Sequence, residues 1–430
     1  MKVFQYFAVV MLATLLSSTA GYANWSVDDI QAVNVAPDYM LLLLGGLFVM
    51  LMQVGFAIIE GGYDPQAKTF SMCCINFLAA LAGNVLYVLI SYALMLFGWG
   101  DQVHIGVPLQ SWHWNLLFFY VLMATTITMV VSRIIPKTIS LAQYWWIALF
   151  ISFLIFSIMS RWVWGGFIMS QGFLRRLGFF DFAGASVVHS AAAWIVLAGY
   201  CAMGKEQQEQ LRRKDILFSD YKLLAMALAG FILWLAWSGL NVSYIMAMRV
   251  DIQDVVLNTI STLIAAVIAV SVISLLRKHG PSLELIIKAA LGGLVAITAS
   301  GGLVTVSGAV WIGAIAGLLV YVLPALFKRW IGAKNIVDVL VIHGVCGVWG
   351  TIALAIYYHS ALALHMPKIS LYAQVLGVLV TFVWSFGLAF LLFKFIANYS
   401  LKQVLLNQNM IQQDQPKLDA KPHQNNKLIL

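Results

Sequence analysis

Runs of about 20 apolar residues, the length an α-helix needs to cross a hydrocarbon core of roughly 30 Å, recur along nearly the whole chain. Only helices and closed barrels satisfy their backbone groups in lipid. These runs are continuous rather than alternating, so they read as helices. The composition leaves no soluble alternative, since 62% of the 430 residues are hydrophobic and 10% are charged. Eleven spans follow, at about 38–62, 72–98, 113–135, 141–160, 182–203, 222–247, 254–276, 284–302, 306–327, 337–357 and 371–397. The fold class is an all-α polytopic membrane protein.

Residues 1–23 differ from these runs. They hold Lys2, a short apolar core and then small residues including Gly21 and Ala23, the pattern of a secretory signal peptide. Removing it places the mature N-terminus outside, and eleven crossings then place the C-terminus in the cytoplasm. Positive charge agrees with that orientation. Of the 25 Lys and Arg, Lys2 lies in the leader. Five (Arg161, Arg175, Arg176, Arg249 and Lys368) fall outside, and the other nineteen fall inside. The net charge of +8 therefore reports orientation in a membrane, most simply a bacterial inner membrane, and does not point to nucleic acid. The transmembrane domain occupies 24–399, and a Gln-, Asn- and Lys-rich cytoplasmic tail, read as loosely ordered, occupies 400–430. The cysteines, Cys73, Cys74, Cys201 and Cys346, form no metal-binding or disulfide pattern.

The charged loop 204–222 divides the spans into five before and six after. Span five opens DFAGASVVHSAAA (181–193), with Asp181 and His189; span ten carries DVLVIHGVCG (338–347), with Asp338 and His343. Five-span halves are inverted relative to each other, with one final helix left over. Inverted repeats place a transport site near the midplane, where the repeats meet. An ionisable side chain at mid-membrane costs roughly 2.5–3.5 kcal/mol on insertion scales and usually faces a bundle interior or a pathway. A single histidine is readily explained as a helix–helix hydrogen bond. Two at matched positions of inverted halves are harder to explain that way. Facing histidines also ligate haem, but no second pair accompanies them. Asp181 reads as a helix N-cap, and Asp338 invites the same reading. No nucleotide-binding loop or hydrolytic triad is present, so neither an enzyme nor a cofactor is expected.

Several collinear stretches resemble the ammonium transporter family (Amt/MEP/Rh). They are MQVGFAIIEGG (52–62), MATTITMVVS (123–132), RWVWGG (161–166), DFAGASVVH (181–189), WSGLNVS (237–243), GGLVAITASGG (292–302), VSGAVWIGAIAGL (306–318) and DVLVIHGVCG (338–347). The resemblance implies a homotrimer with a pore in each protomer. It implies that ammonium is recruited at an outer vestibule, loses a proton, and crosses a narrow apolar channel past twin histidines. His189 and His343 match the twins, Trp164 the vestibule aromatic, and Asp181 the acidic residue near it.

The chain also departs from that pattern. The two phenylalanines usually stacked above the pore fall at Met123 and Leu240, and the vestibule serine falls at Tyr244. The usual charged residues after spans one and three are replaced by DPQ (64–66) and PKT (136–138). The tail lacks the family's Gly-Leu-Asp pattern, which argues against control by a PII-type partner. The expected activity is ammonium or ammonia transport. The alternative is an ammonium sensor on the same scaffold with low conduction, motivated by the lost aromatic gate and Tyr244.

Overall fold

The structure is a computed structural model that describes residues 29–63, 74–86, 111–132, 134, 140–164, 172–212, 220–243, 250–359 and 369–419. Among these residues the chain is helical and has no strand, with one isolated bridge between Val304 and Tyr358. The helices are α1 (Asp29–Tyr63), α2 (Cys74–Leu86), α3 (Ser111–Ser132), α4 (Leu141–Trp164), α5 (Phe173–Arg176), α6 (Ala185–Ala202) and α7 (Lys205–Arg212). They continue with α8 (Asp220–Ser243), α9 (Ile252–Leu276), α10 (Leu283–Ile297), α11 (Val306–Lys328), α12 (Lys334–Tyr357) and α13 (Leu371–Asp419). Among the described residues, eight helices are long and apolar enough to cross a bilayer: α1, α4, α6, α8, α9, α11, α12 and α13. The apolar segments of α2 and α3 are shorter. The expected signal peptide and Tyr244 lie outside the described residues.

Polar residues mark where the apolar runs turn helical. Ser140 and Gln143 form a capping box at the start of α4. Asp251, Ser282 and Thr305 cap α9, α10 and α11 through their side chains. Each cap gives one of the free N–H groups of a first turn an acceptor.

The packing pairs equivalent members of the two halves. α1 runs along α8, and α6 packs against α12. α9 and α11 lie close enough that small residues are required. Gly313 and Gly317, one turn apart on α11, face the backbone of Thr262 and Ala266. A Cβ at either position would overlap a carbonyl group there. Thr262 Oγ1 also donates to Ala309 O at 3.0 Å. In lipid, where tails are as apolar as leucine, such close packing and hydrogen bonding hold helices together. The same logic joins α2, α3 and α4, where the buried Tyr144 hydroxyl bonds Asn76 and donates to Thr128 O. The outer surface stays apolar. On α8, Leu224, Leu228, Phe231 and Leu235 form an exposed stripe at helical spacing.

The loop between the halves contains α7. Arg212 Nε donates to Ile331 O at 2.9 Å, and Tyr200 Oη to the same oxygen at 2.6 Å. This ties the link to the turn before α12. At the C-terminus, α13 carries a helical backbone from Leu371 to Asp419.

Candidate functional site

The helices that carry the two histidines share a local irregularity. α6 begins as a π-helix over Ala185–Ser190, and α12 passes through one over Leu340–Val345. Each six-residue segment contains its histidine, His189 or His343. A π turn widens the helix by one residue and re-aims the side chains on it, and such turns concentrate at functional sites. α6 and α12 meet closely at this level. Ser190 Oγ lies 3.2 Å from Gly344 O, and a Cβ on Gly347 would strike Ala185 and Ser190.

The result is a buried imidazole pair. His189 and His343 are 1% and 3% exposed, and their Nδ1 atoms are 3.3 Å apart. The rings are nearly parallel, at 20°, with centroids 5.4 Å apart. His189 also stacks on Trp237, at 4.7 Å and 21°, and Phe56 flanks His343 at 6.0 Å. Trp237 is locked in place by its Nε1 donating to Thr298 Oγ1 at 2.7 Å.

A hydrogen bond between two Nδ1 atoms requires one ring to donate and the other to accept. In two neutral rings, the donor's Nε2 is then an acceptor and the acceptor's Nε2 carries a proton. Of the two outer nitrogens, one is thus a lone pair and the other an N–H. His189 Nε2 is buried and finds no protein partner among the described residues. A buried polar atom without a partner calls for an explanation, and a polar guest between the helices supplies one.

Asp181 sits at the mouth of α6, 1% exposed. Its Oδ1 accepts from the amides of Gly184 and Ala185 at 3.0 and 2.9 Å, and its Oδ2 from those of Ser186 and Val187 at 2.8 and 2.9 Å. It thus caps the π turn, as a helix-start reading of the sequence expects. The turn needs a glycine at 184, where φ is +102° and a Cβ would meet Val188 and Met123. Asp181 reaches Trp164 through its backbone, because Trp164 Nε1 donates to Asp181 O at 2.7 Å. Trp164 stacks on Tyr120, centroids 5.8 Å apart and 12° from parallel.

Met123 and Leu240 are both 1% exposed. Each lies one turn from a site aromatic on its own helix, Met123 after Tyr120 on α3 and Leu240 after Trp237 on α8. Trp164 thus bonds the Asp181 backbone, Met123 lies beside the Gly184 turn, and His189 joins His343 and Trp237, one turn before Leu240.

Asp338 does not behave as its counterpart does. It lies inside α12 rather than at its cap, which is Ala333, and pairs with Lys288 at 2.7 Å. Tyr120, Trp237 and Lys288 receive no role from sequence reasoning. Trp237 lies in a stretch that carries the family resemblance, but its stacking on His189 is a contact between helices. Among the described residues, no group of His, Cys, Asp and Glu is arranged to hold a metal ion.

The chain and its fold are similar to known proteins. The model of the Ammonium Transporter Family matches residues 40–426. A putative ammonium transporter of Synechocystis is 29% identical, over 95% of this chain and 93% of that protein. The ammonium transporter Amt2 of Archaeoglobus fulgidus is 28% identical, over 89% of this chain and 88% of that protein. Among solved structures, a Sensor Amt Protein superposes with a TM-score of 0.71 at 27% identity, covering 86% of this chain and 95% of that one. Mep2 of Candida albicans, at 16% identity and a TM-score of 0.66, covers 83% of each chain and shares the fold.

Proposed function

Because the chain belongs to the ammonium transporter family, we propose that it moves ammonium nitrogen across a membrane through the column that ends at His189 and His343. The observation that carries this reading is the buried, hydrogen-bonded histidine pair with an unpartnered Nε2. Such a pair can pass a small guest that both donates and accepts hydrogen bonds. Ammonia does both. A potassium ion does neither, and it cannot shed its charge before entering an apolar bore.

In this reading, Trp164 holds the incoming cation at the outer mouth, with Tyr120 stacked behind it and Tyr244 as a further aromatic. A desolvated cation over such a face gains about 2 kcal/mol. Asp181 positions the site from beneath, by fixing the Trp164 indole and the start of α6. The cation gives a proton to solvent water at this mouth and goes on as neutral ammonia, because charge in an apolar bore is costly. Met123 and Leu240 then form the apolar constriction above the histidines.

We place the protein as a homotrimer in the bacterial inner membrane, with eleven crossings in inverted five-helix halves plus a last helix. The mature N-terminus is outside, and the tail from 400 is cytoplasmic. α2, α3 and α10 supply the three crossings beyond the eight long apolar helices.

The test is reconstitution into proteoliposomes. An ammonium gradient should drive currents or methylammonium uptake above that of empty vesicles, and His189→Ala or His343→Ala should change the rate or the selectivity. If both variants match the wild type, the pore assignment is wrong. If the protein binds ammonium but conducts no more than empty vesicles, the sensor reading replaces transport.

A further inference from the structure

Two cavities lie beyond His343, on the side of the loop between the halves. A cavity of about 30 Å³ lies against His343, walled by Phe56, Met226, Ile287, Leu291 and Ile342, with Lys288 and Asp338 as its charged residues. That volume holds about one water-sized molecule. A second, more open cavity of about 290 Å³ lies beyond it, among Tyr321, Pro324, Lys328 and Lys334. Lys288 and Asp338 line both cavities. Their ion pair, at 2.7 Å with side chains 13% and 7% exposed, is thus the shared wall between the histidine end of the column and the wider pocket.

Lys288 holds two carboxylates at once. Lys288 Nζ is also 2.6 Å from Glu284 Oε1, one turn back on α10. Glu284 is in turn held by Lys334 of α12, at 2.9 Å. A lysine ammonium on a flexible stem can leave Asp338 and stay paired with Glu284, while Lys334 keeps α10 and α12 clamped together.

We propose that the Lys288–Asp338 pair is the inner gate of the conduction path, opened when Lys288 releases Asp338 and keeps only its contact with Glu284. This rests on the transport reading above. Nitrogen leaving His343 waits in the small cavity until the pair parts, and then passes to the larger pocket and the cytoplasm. Closed, the pair keeps hydrated cations of the inner side away from the histidines.

The gate is tested in the full chain, with Cys73, Cys74, Cys201 and Cys346 replaced by alanine or serine and Met226→Cys as a reporter on the wall of the small cavity. A small membrane-impermeant methanethiosulfonate is applied from the inner face, and transport is measured in the same vesicles. The double variant Lys288→Met/Asp338→Asn removes the pair without leaving a buried unpaired charge. It should raise both the labelling rate and the ammonium flux by about fivefold or more, the shift in open population expected when one partly buried pair no longer has to break. Comparable thermal unfolding of the variant and the wild type excludes a folding defect. If the wild type conducts and the histidine variants alter conduction, but labelling and flux are unchanged in the double variant, the gate is overturned while transport stands. If the wild type does not conduct, transport fails, and the gate with it.

Discussion

At the residue scale, Asp181 shows how one side chain can look like a ligand-binding group and be occupied with structure. Both carboxylate oxygens accept two backbone N–H groups each. An amide in its place keeps one acceptor oxygen and turns an N–H₂ toward two donors. Asp181→Asn should therefore destabilise the protein by about 3 kcal/mol, since two buried amides lose their acceptor at roughly 1–3 kcal/mol each. A lowered unfolding temperature in detergent checks this. An unchanged temperature would mean that the carboxylate does not hold the turn. Met123 and Leu240 are a different case. Met123→Phe should slow flux severalfold if it narrows the constriction, while leaving thermal stability within about 1.5 kcal/mol, read by transport and melting together. That Asp181 caps a helix was legible in the sequence, because an acidic residue precedes an apolar run. That its carbonyl positions Trp164 was not, because the two residues meet through the fold.

At the scale of the elements, the two π turns do what α-helical geometry would not. Each inserts one residue where α6 and α12 cross, and the histidines meet within this widened turn. Sequence periodicity gives little warning of a π turn, because runs that are apolar on every face have no face to lose. The α9–α11 contact is easier to read. A glycine pair at i and i+4 in an apolar run signals close packing, although the partner, Thr262 and Ala266, emerges from the structure. Gly313→Leu should force these helices apart and cost about 1–3 kcal/mol, the usual range for overpacking. Thermal unfolding in detergent measures this, and wild-type stability would show that the helices can separate freely.

For the whole molecule, the orientation makes its own prediction. A fluorescent protein fused after Leu430 should fold and fluoresce, and alkaline phosphatase at the same place should stay inactive. The opposite pair of results would invert every assignment of inner and outer face, including the side on which the Lys288–Asp338 wall opens. The sequence by itself determined that this chain lives in lipid as a set of helices, because apolar run length and the need to satisfy the backbone leave no other fold. It also marked His189 and His343, because titratable groups deep in apolar spans are conspicuous. Only the tertiary structure decided that their Nδ1 atoms meet at 3.3 Å, that Trp237 stacks beside them, and that Asp338 pairs with a lysine 50 residues away rather than capping its helix. Those facts depend on how helices distant in sequence rotate and cross, and that is set by close packing at small residues and by hydrogen bonds between helices, which no local pattern encodes.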